Sequence, residues 1–171
     1  MNRVIGKILF AVLMFWSALF SSANAQEKHT VEFLPPLTLG GMTFAHIEVA
    51  RTTKAREIGL MNRKGLPVDG GMCFVFPDAA PRAFWMKNTL IPLDAIFIDA
   101  YGTIIEIVTM KTEAPQRPNE STEAYERRLP TYPCDHAITC VVELAAGTAK
   151  LLGLHPGDNI PELAWRALNK I

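Results

Sequence analysis

The sequence predicts an α+β domain, rich in β-structure, with a mixed or antiparallel, barrel-like sheet and two short helices. Three observations predict it. Short apolar runs, about seven of them, recur between Gly, Pro and Asp-rich turns. Only two stretches, near residues 53–61 and 145–152, carry helical signals. The runs follow one another without the regular helical crossovers that a doubly wound parallel sheet requires.

The first element is read as a targeting segment. Residues 1–7 hold Arg3 and Lys7 and no acid, residues 8–20 are apolar apart from Ser17, and Ala23-Asn24-Ala25 is a small-x-small site. This is the pattern of a secretory signal peptide cut after Ala25. The apolar run is shorter than the ~20 residues of a spanning helix. The expectation is therefore an exported protein, periplasmic or extracellular, with no membrane span once the signal is gone. The whole chain of 171 residues balances 17 bases against 17 acids. Without residues 1–25 there remain 146 residues with 15 bases and 17 acids, a net charge of −2. That length suits one domain, and that charge argues against nucleic acid as a partner. At 49% hydrophobic, the chain is not composed like a disordered one.

Residues 26–36 read as a mobile lead-in ending at Pro35-Pro36. Residues 37–39 and 42–50 read as two strands around the Gly40-Gly41 turn, the second with an imperfect alternation that suggests a bulge. Thr52 or Thr53 caps a helix running to about Met61. Residues 72–76 form a short apolar strand stopped by Pro77. A compact segment runs from Phe84 to Pro92. Residues 93–98 and 103–110 pair across a turn at Asp99-Ala100-Tyr101-Gly102. Residues 111–136 are rich in Pro and charge and show no period, which marks a functional flap or a disordered stretch. Residues 138–144 are the next strand and 145–152 the second helix, closed by Gly153. Pro156-Gly157-Asp158 turns into a last short strand at residues 159–160. Residues 161–171 read as a frayed helical tail.

Four stretches read together. They are Arg56-Glu57-Ile58-Gly59-Leu60-Met61-Asn62-Arg63, Gly71-Met72-Cys73-Phe74-Val75-Phe76, Phe84-Trp85-Met86-Lys87-Asn88-Thr89 with Ile91-Pro92-Leu93-Asp94, and Val142-Glu143-Leu144 with Gly147, Gly153 and Gly157-Asp158. In this order and spacing the chain resembles domain-of-unknown-function family 192, small and often exported prokaryotic proteins, over residues 37–160. The resemblance implies a compact, β-rich α+β domain and supplies no activity. Cys73, Cys134, Cys140 and the 111–136 insert depart from the pattern.

Trp85, Lys87, Asn88, Thr89 and Asp94 fall within ten residues among apolar neighbours, and each polar type can orient a ligand. Arg56 and Arg63, near the ends of the first helix, add positive charge for a carboxylate or phosphate. The competing reading makes these residues a structural polar network. Glu143 lies between Val142 and Leu144. Facing inward it needs a partner or becomes an acid–base group; period 2 equally allows it to face solvent.

Cys134 and Cys140 are compatible with a disulfide, with two free thiols, or with a metal site that adds His136 but lacks a fourth ligand. Cys73 then reads as a buried, unpaired thiol. No cofactor or metal is expected, and no serine-hydrolase elbow, zinc-protease motif, phosphate loop or Cys-x-x-Cys is present. Three readings follow. The first is a binding module for a small polar or anionic ligand. The second is a hydrolase or lyase using Glu143 or Asp94 with Arg56 or Lys87. The third is an envelope interaction module that meets a protein partner through residues 111–136.

Overall fold

The computed structural model describes residues 31–171, so the targeting segment read at residues 1–25 lies outside the described residues. The fold is α+β. Strands β1 (Leu37–Leu39) and β2 (Met42–Phe44) form a small antiparallel hairpin. The main sheet holds β3 (His46–Ala50), β4 (Gly70–Trp85), β5 (Leu93–Ile98), β6 (Ile104–Met110) and β7 (Thr131–Ala145), in the order β3-β4-β7-β5-β6. It is mixed: β3 runs parallel to β4, and the other pairs are antiparallel. The sheet stays open, with β3 and β6 at its edges. Four short α-helices, α1 (Thr53–Ile58), α2 (Thr122–Arg127), α3 (Thr148–Leu151) and α4 (Trp165–Leu168), and a 3₁₀ turn at Pro161–Leu163 complete it. Where two helices are expected, four occur among the described residues.

The middle of the sheet is covered on both sides. All six residues of β5 are buried. Asp94, Ile96 and Ile98 alternate with Leu93, Ala95 and Phe97, as the two-residue repeat of a strand requires. Ile96 and Ile98 join a cluster with Phe44, Ile47, Cys73, Cys140, Val142, Leu163 and Leu168. Leu93, Ala95 and Phe97 join a second cluster with Leu60, Phe74, Met86, Cys134, Ile138 and Val141. A strand buried on both faces reads as a nearly continuous apolar run, and β5 does so apart from Asp94.

Several expectations are corrected. The run 42–50 divides at Ala45, because β2 pairs with β1 whereas β3 pairs with β4. β4 does not stop at Pro77. Val75 faces Cys140 and Ala80 faces Ile138, so four residues of β4 stand against one of β7. Pro77 falls inside this bulge, where no ladder bond needs its missing N–H. Residues 111–136 are not structureless: they hold α2 and the start of β7. Ser121 caps α2 by accepting from the Ala124 N–H at 3.2 Å, and Tyr125 is buried. Residues 31–36 do not hang free, for the Leu34 N–H donates to Ile47 O and the Val49 N–H to Glu32 O, both at 2.8 Å. The tail packs rather than frays, with Leu163 and Leu168 buried.

Candidate functional site

A narrow cleft opens where the end of α1 meets the end of β4. Its walls are Arg56, Gly59, Leu60, Trp85, Lys87 and Thr89, with Phe74, Phe84 and Glu143 deeper in. Thr52 starts α1, accepting from the Ala55 N–H at 3.1 Å. Gly59 ends it at φ +47, a left-handed conformation that glycine adopts without strain. A side chain there would also meet the Phe74 ring at 3.2 Å, so glycine lets the helix end lie against the cleft floor. That floor is aromatic: Phe84 stands edge-on to Phe74 at 5.0 Å and to Phe97 at 5.8 Å.

Glu143 is the chemically unusual residue. It lies on β7, the central strand, opposite Met72 of β4 and Ala95 of β5. It is 4% exposed. Among the described residues no protein group bonds its carboxyl, and loss of water alone pushes its pKa up to about 8. It is therefore a neutral acid near pH 7, able to donate one hydrogen bond. Glu143 faces the cleft and not open solvent, since the opposite face of β7 holds Val142 and Leu144 within the other cluster.

Arg56 stands over the Phe76 ring at 5.3 Å. One terminal nitrogen donates to Arg51 O and, at 3.1 Å, to Val75 O; the other donates to Thr53 Oγ1 at 3.3 Å. These acceptors are neutral, so its charge is not cancelled by a carboxylate. Three of its five N–H groups are engaged, and two remain for a ligand. Lys87 lies 5.3 Å over the Trp85 ring and pairs with Glu126 of α2. Trp85 is 38% exposed and forms the outer wall.

The other candidates go elsewhere. Arg63 makes two bonds to Glu48, at 2.8 and 2.7 Å, and takes no part in the cleft. Asn88 adopts φ +53 and turns away toward α2. Its N–H donates to Tyr125 Oη at 3.1 Å, its Oδ1 accepts from that hydroxyl at 3.3 Å, and its carbonyl accepts from the Asn62 N–H at 2.8 Å. Thr89 lines the cleft, but its hydroxyl is given to Lys87 O at 3.3 Å. Asp94 occupies the opposite face of the sheet. It accepts from the Thr109 hydroxyl at 2.7 Å and the Ala149 N–H at 3.0 Å. It ties β5 to β6 and α3, and a reaction using Asp94 and Glu143 together is excluded by this placement.

Cys134 and Cys140 lie on the same strand, in opposite clusters. Six residues of extended chain span about 20 Å, beyond disulfide reach, so the short bridge between them is corrected. All three thiols are free and buried. The sulfur of Cys140 instead touches that of Cys73 at 3.1 Å. Among the described residues, no group of three or more His, Cys, Asp and Glu is placed to hold a metal ion. Nor is any helix there long and apolar enough to cross a membrane.

Two positioning residues escaped the sequence reading: Tyr125 and Glu126. The signal was available in Ser121, a cap, followed by Tyr125 and Leu129 at helical spacing. The density of Pro and charge on either side hid it.

The model of domain-of-unknown-function family 192, described as an uncharacterized ACR, matches residues 37–161. The chain belongs to this family. Two solved structures share its fold. A candidate transcription regulator from Sinorhizobium meliloti 1021 is 36% identical, over 72% of this chain and 87% of that one, with a TM-score of 0.56. A protein of unknown function from Novosphingobium aromaticivorans DSM 12444 is 29% identical, over 81% of this chain and 96% of that one, with a TM-score of 0.58. No match is found among curated proteins. For this family-192 domain the comparisons thus give the fold and no activity.

Proposed function

We propose that this family-192 domain is a non-catalytic binding module for a small anion, a carboxylate or phosphate group held in the cleft between α1 and Trp85. The observation that carries the reading is Glu143, a buried carboxyl without a protein partner that faces the cleft. Such a group costs free energy unless something bonds it. Arg56 supplies charge and two free N–H groups, and neutral Glu143 donates a third hydrogen bond. Lys87 is held back by Glu126 and positions Trp85. The cavity volume is about 30 Å³, far below the ~300 Å³ at which whole-ligand pockets begin. The cleft accordingly takes the anionic end of a ligand, and the remainder lies against Trp85.

The transcription-regulator description of the Sinorhizobium relative is not carried over, because residues 26–171 hold fewer bases than acids. The domain meets its ligand outside the cytoplasm, after cleavage behind Ala25. N-terminal sequencing of the protein recovered from the cell envelope should begin at Gln26.

Calorimetric titration with inorganic phosphate and with acetate tests the site. At pH 6.5 one of them should bind, and Arg56→Met should weaken it at least tenfold, about 1.4 kcal/mol. Affinity should fall as the pH passes about 8, where Glu143 ionises and repels the anion. Glu143→Gln keeps a donor and should remove that pH break. Absence of heat and of any melting-temperature rise with both anions would sink the reading.

A further inference from the structure

Cys73 and Cys140 come from β4 and β7, which pair antiparallel from Met72–Glu143 to Trp85–Thr131. Cys73 stands opposite Val142, and Cys140 opposite Val75, so the two are diagonal neighbours on one face. Diagonal pairs are ordinarily ~7–8 Å apart between Cα atoms, and the right-handed twist of an antiparallel pair brings one diagonal closer. Here the sulfurs are in contact, at 3.1 Å, and both residues are fully buried. Closing to the ~2.0 Å of a disulfide takes about 1 Å of movement. The pair also borders the β4 bulge, since the ladder is regular from Met72 to Val75 and shifts directly after it.

We propose that Cys73 and Cys140 form a cross-strand disulfide that locks the β4–β7 register beside the bulge. It forms during folding by thiol–disulfide exchange with a low-molecular-weight disulfide or the disulfide of a dithiol oxidase. One thiolate attacks the donor disulfide to give a mixed disulfide and one released thiol. The second cysteine, deprotonated, displaces the other donor sulfur. The donor is reduced to two thiols and the protein loses two hydrogens. Oxidation precedes burial. In the folded, reduced chain the contact with Cys73 and the loss of water push the Cys140 thiol well up, so little thiolate is available for attack. Cys134 is not involved, because it lies in the cluster on the other side of the sheet. The link encloses the chain from 73 to 140, a long loop, which favours a large restriction of the unfolded state. The proposal is independent of the anion-binding reading.

The test refolds the full, reduced chain in a buffer of oxidised and reduced glutathione, quenches it with acid, unfolds it in guanidinium chloride, traps free thiols there with iodoacetamide and maps the peptides by mass spectrometry. Cys134 and Cys140 share one tryptic peptide, since no Lys or Arg lies between Leu129 and Ala149. Cleavage before Asp135 separates them. The expected product links the peptide of Cys73 to that of Cys140, lighter by two hydrogens, with Cys134 alkylated. Its melting temperature should fall on the order of 10 °C when a reductant is added. Cys134→Ser should behave in the same way, whereas Cys73→Ser should lose both the link and the response to reductant. Three alkylated cysteines, a link through Cys134, or a melting temperature indifferent to reductant in Cys134→Ser would each overturn the proposal.

Discussion

Glu143 has apolar Met72 and Ala95 beside it on the neighbouring strands, and this fixes how the protein answers to pH. An unfolded glutamate titrates near 4.3, and the folded one near 8. Below the lower value both states hold the proton, and Glu143 adds no pH dependence. Between the two values only the folded state holds it, so stability falls as pH rises. Above about 8 both states are ionised and the decline levels off. The loss is on the order of 5 kcal/mol. Denaturant midpoints of Glu143→Gln should therefore stay flatter than those of the native chain from pH 5 to 8. Parallel curves for the two proteins would show that Glu143 is ionised in the folded state. The residue itself was visible in the sequence as a lone acid in an apolar strand. Its inward direction was not, because period 2 assigns alternate faces without saying that both faces of β7 are covered.

At the scale of elements, α2 decides how the Trp85–Thr89 segment is held. Residues 111–136 read as an exposed insert, and their helix instead lays Tyr125 against Asn88 and Glu126 against Lys87. The helix is thus occupied with its own domain, whereas residues 111–121 before it stay irregular and mostly exposed. Tyr125→Phe leaves the Asn88 N–H without its acceptor and should cost about 1–2 kcal/mol. Amide exchange at Asn88 should quicken by one order of magnitude or more, while exchange in β5 stays unchanged. Equal quickening in β5 would mean that the hydroxyl supports the whole fold and not this segment. β4 teaches a similar lesson. Pro77 is a sound local stop signal, yet a bulge absorbs it, and only the pairing with β7 shows where the bulge lies.

For the whole molecule, the sheet is enclosed from both sides, and the C-terminal residues form part of the enclosure. Leu163 and Leu168 are buried in the cluster that holds Phe44, Ile98 and Ile104. Arg51 donates to Leu168 O at 2.7 Å, and the Trp165 N–H donates to Ala100 O at 3.1 Å. Uncovering the two leucines should cost about 1.5–3 kcal/mol each. Removal of residues 161–171 should lower the melting temperature on the order of 10 °C. A truncated chain that melts with the full one would make the tail an ornament of the fold.

The sequence by itself determined the α+β class and most strand cores, because these depend on local apolar periodicity and turn residues, and the family through the resemblance of its four linked motifs. Of the residues it singled out, Arg56, Trp85, Lys87, Thr89 and Glu143 line one cleft. Tertiary structure alone decided which of those polar groups are already satisfied. Arg63, Asn88 and Asp94 find partners at Glu48, Tyr125, Thr109 and Ala149, far apart in the chain. It likewise decided that Cys140 meets Cys73 and not Cys134. The physical reason is the same in each case. A hydrogen bond or a sulfur contact depends on strand register and face, and both are set by pairing between distant segments.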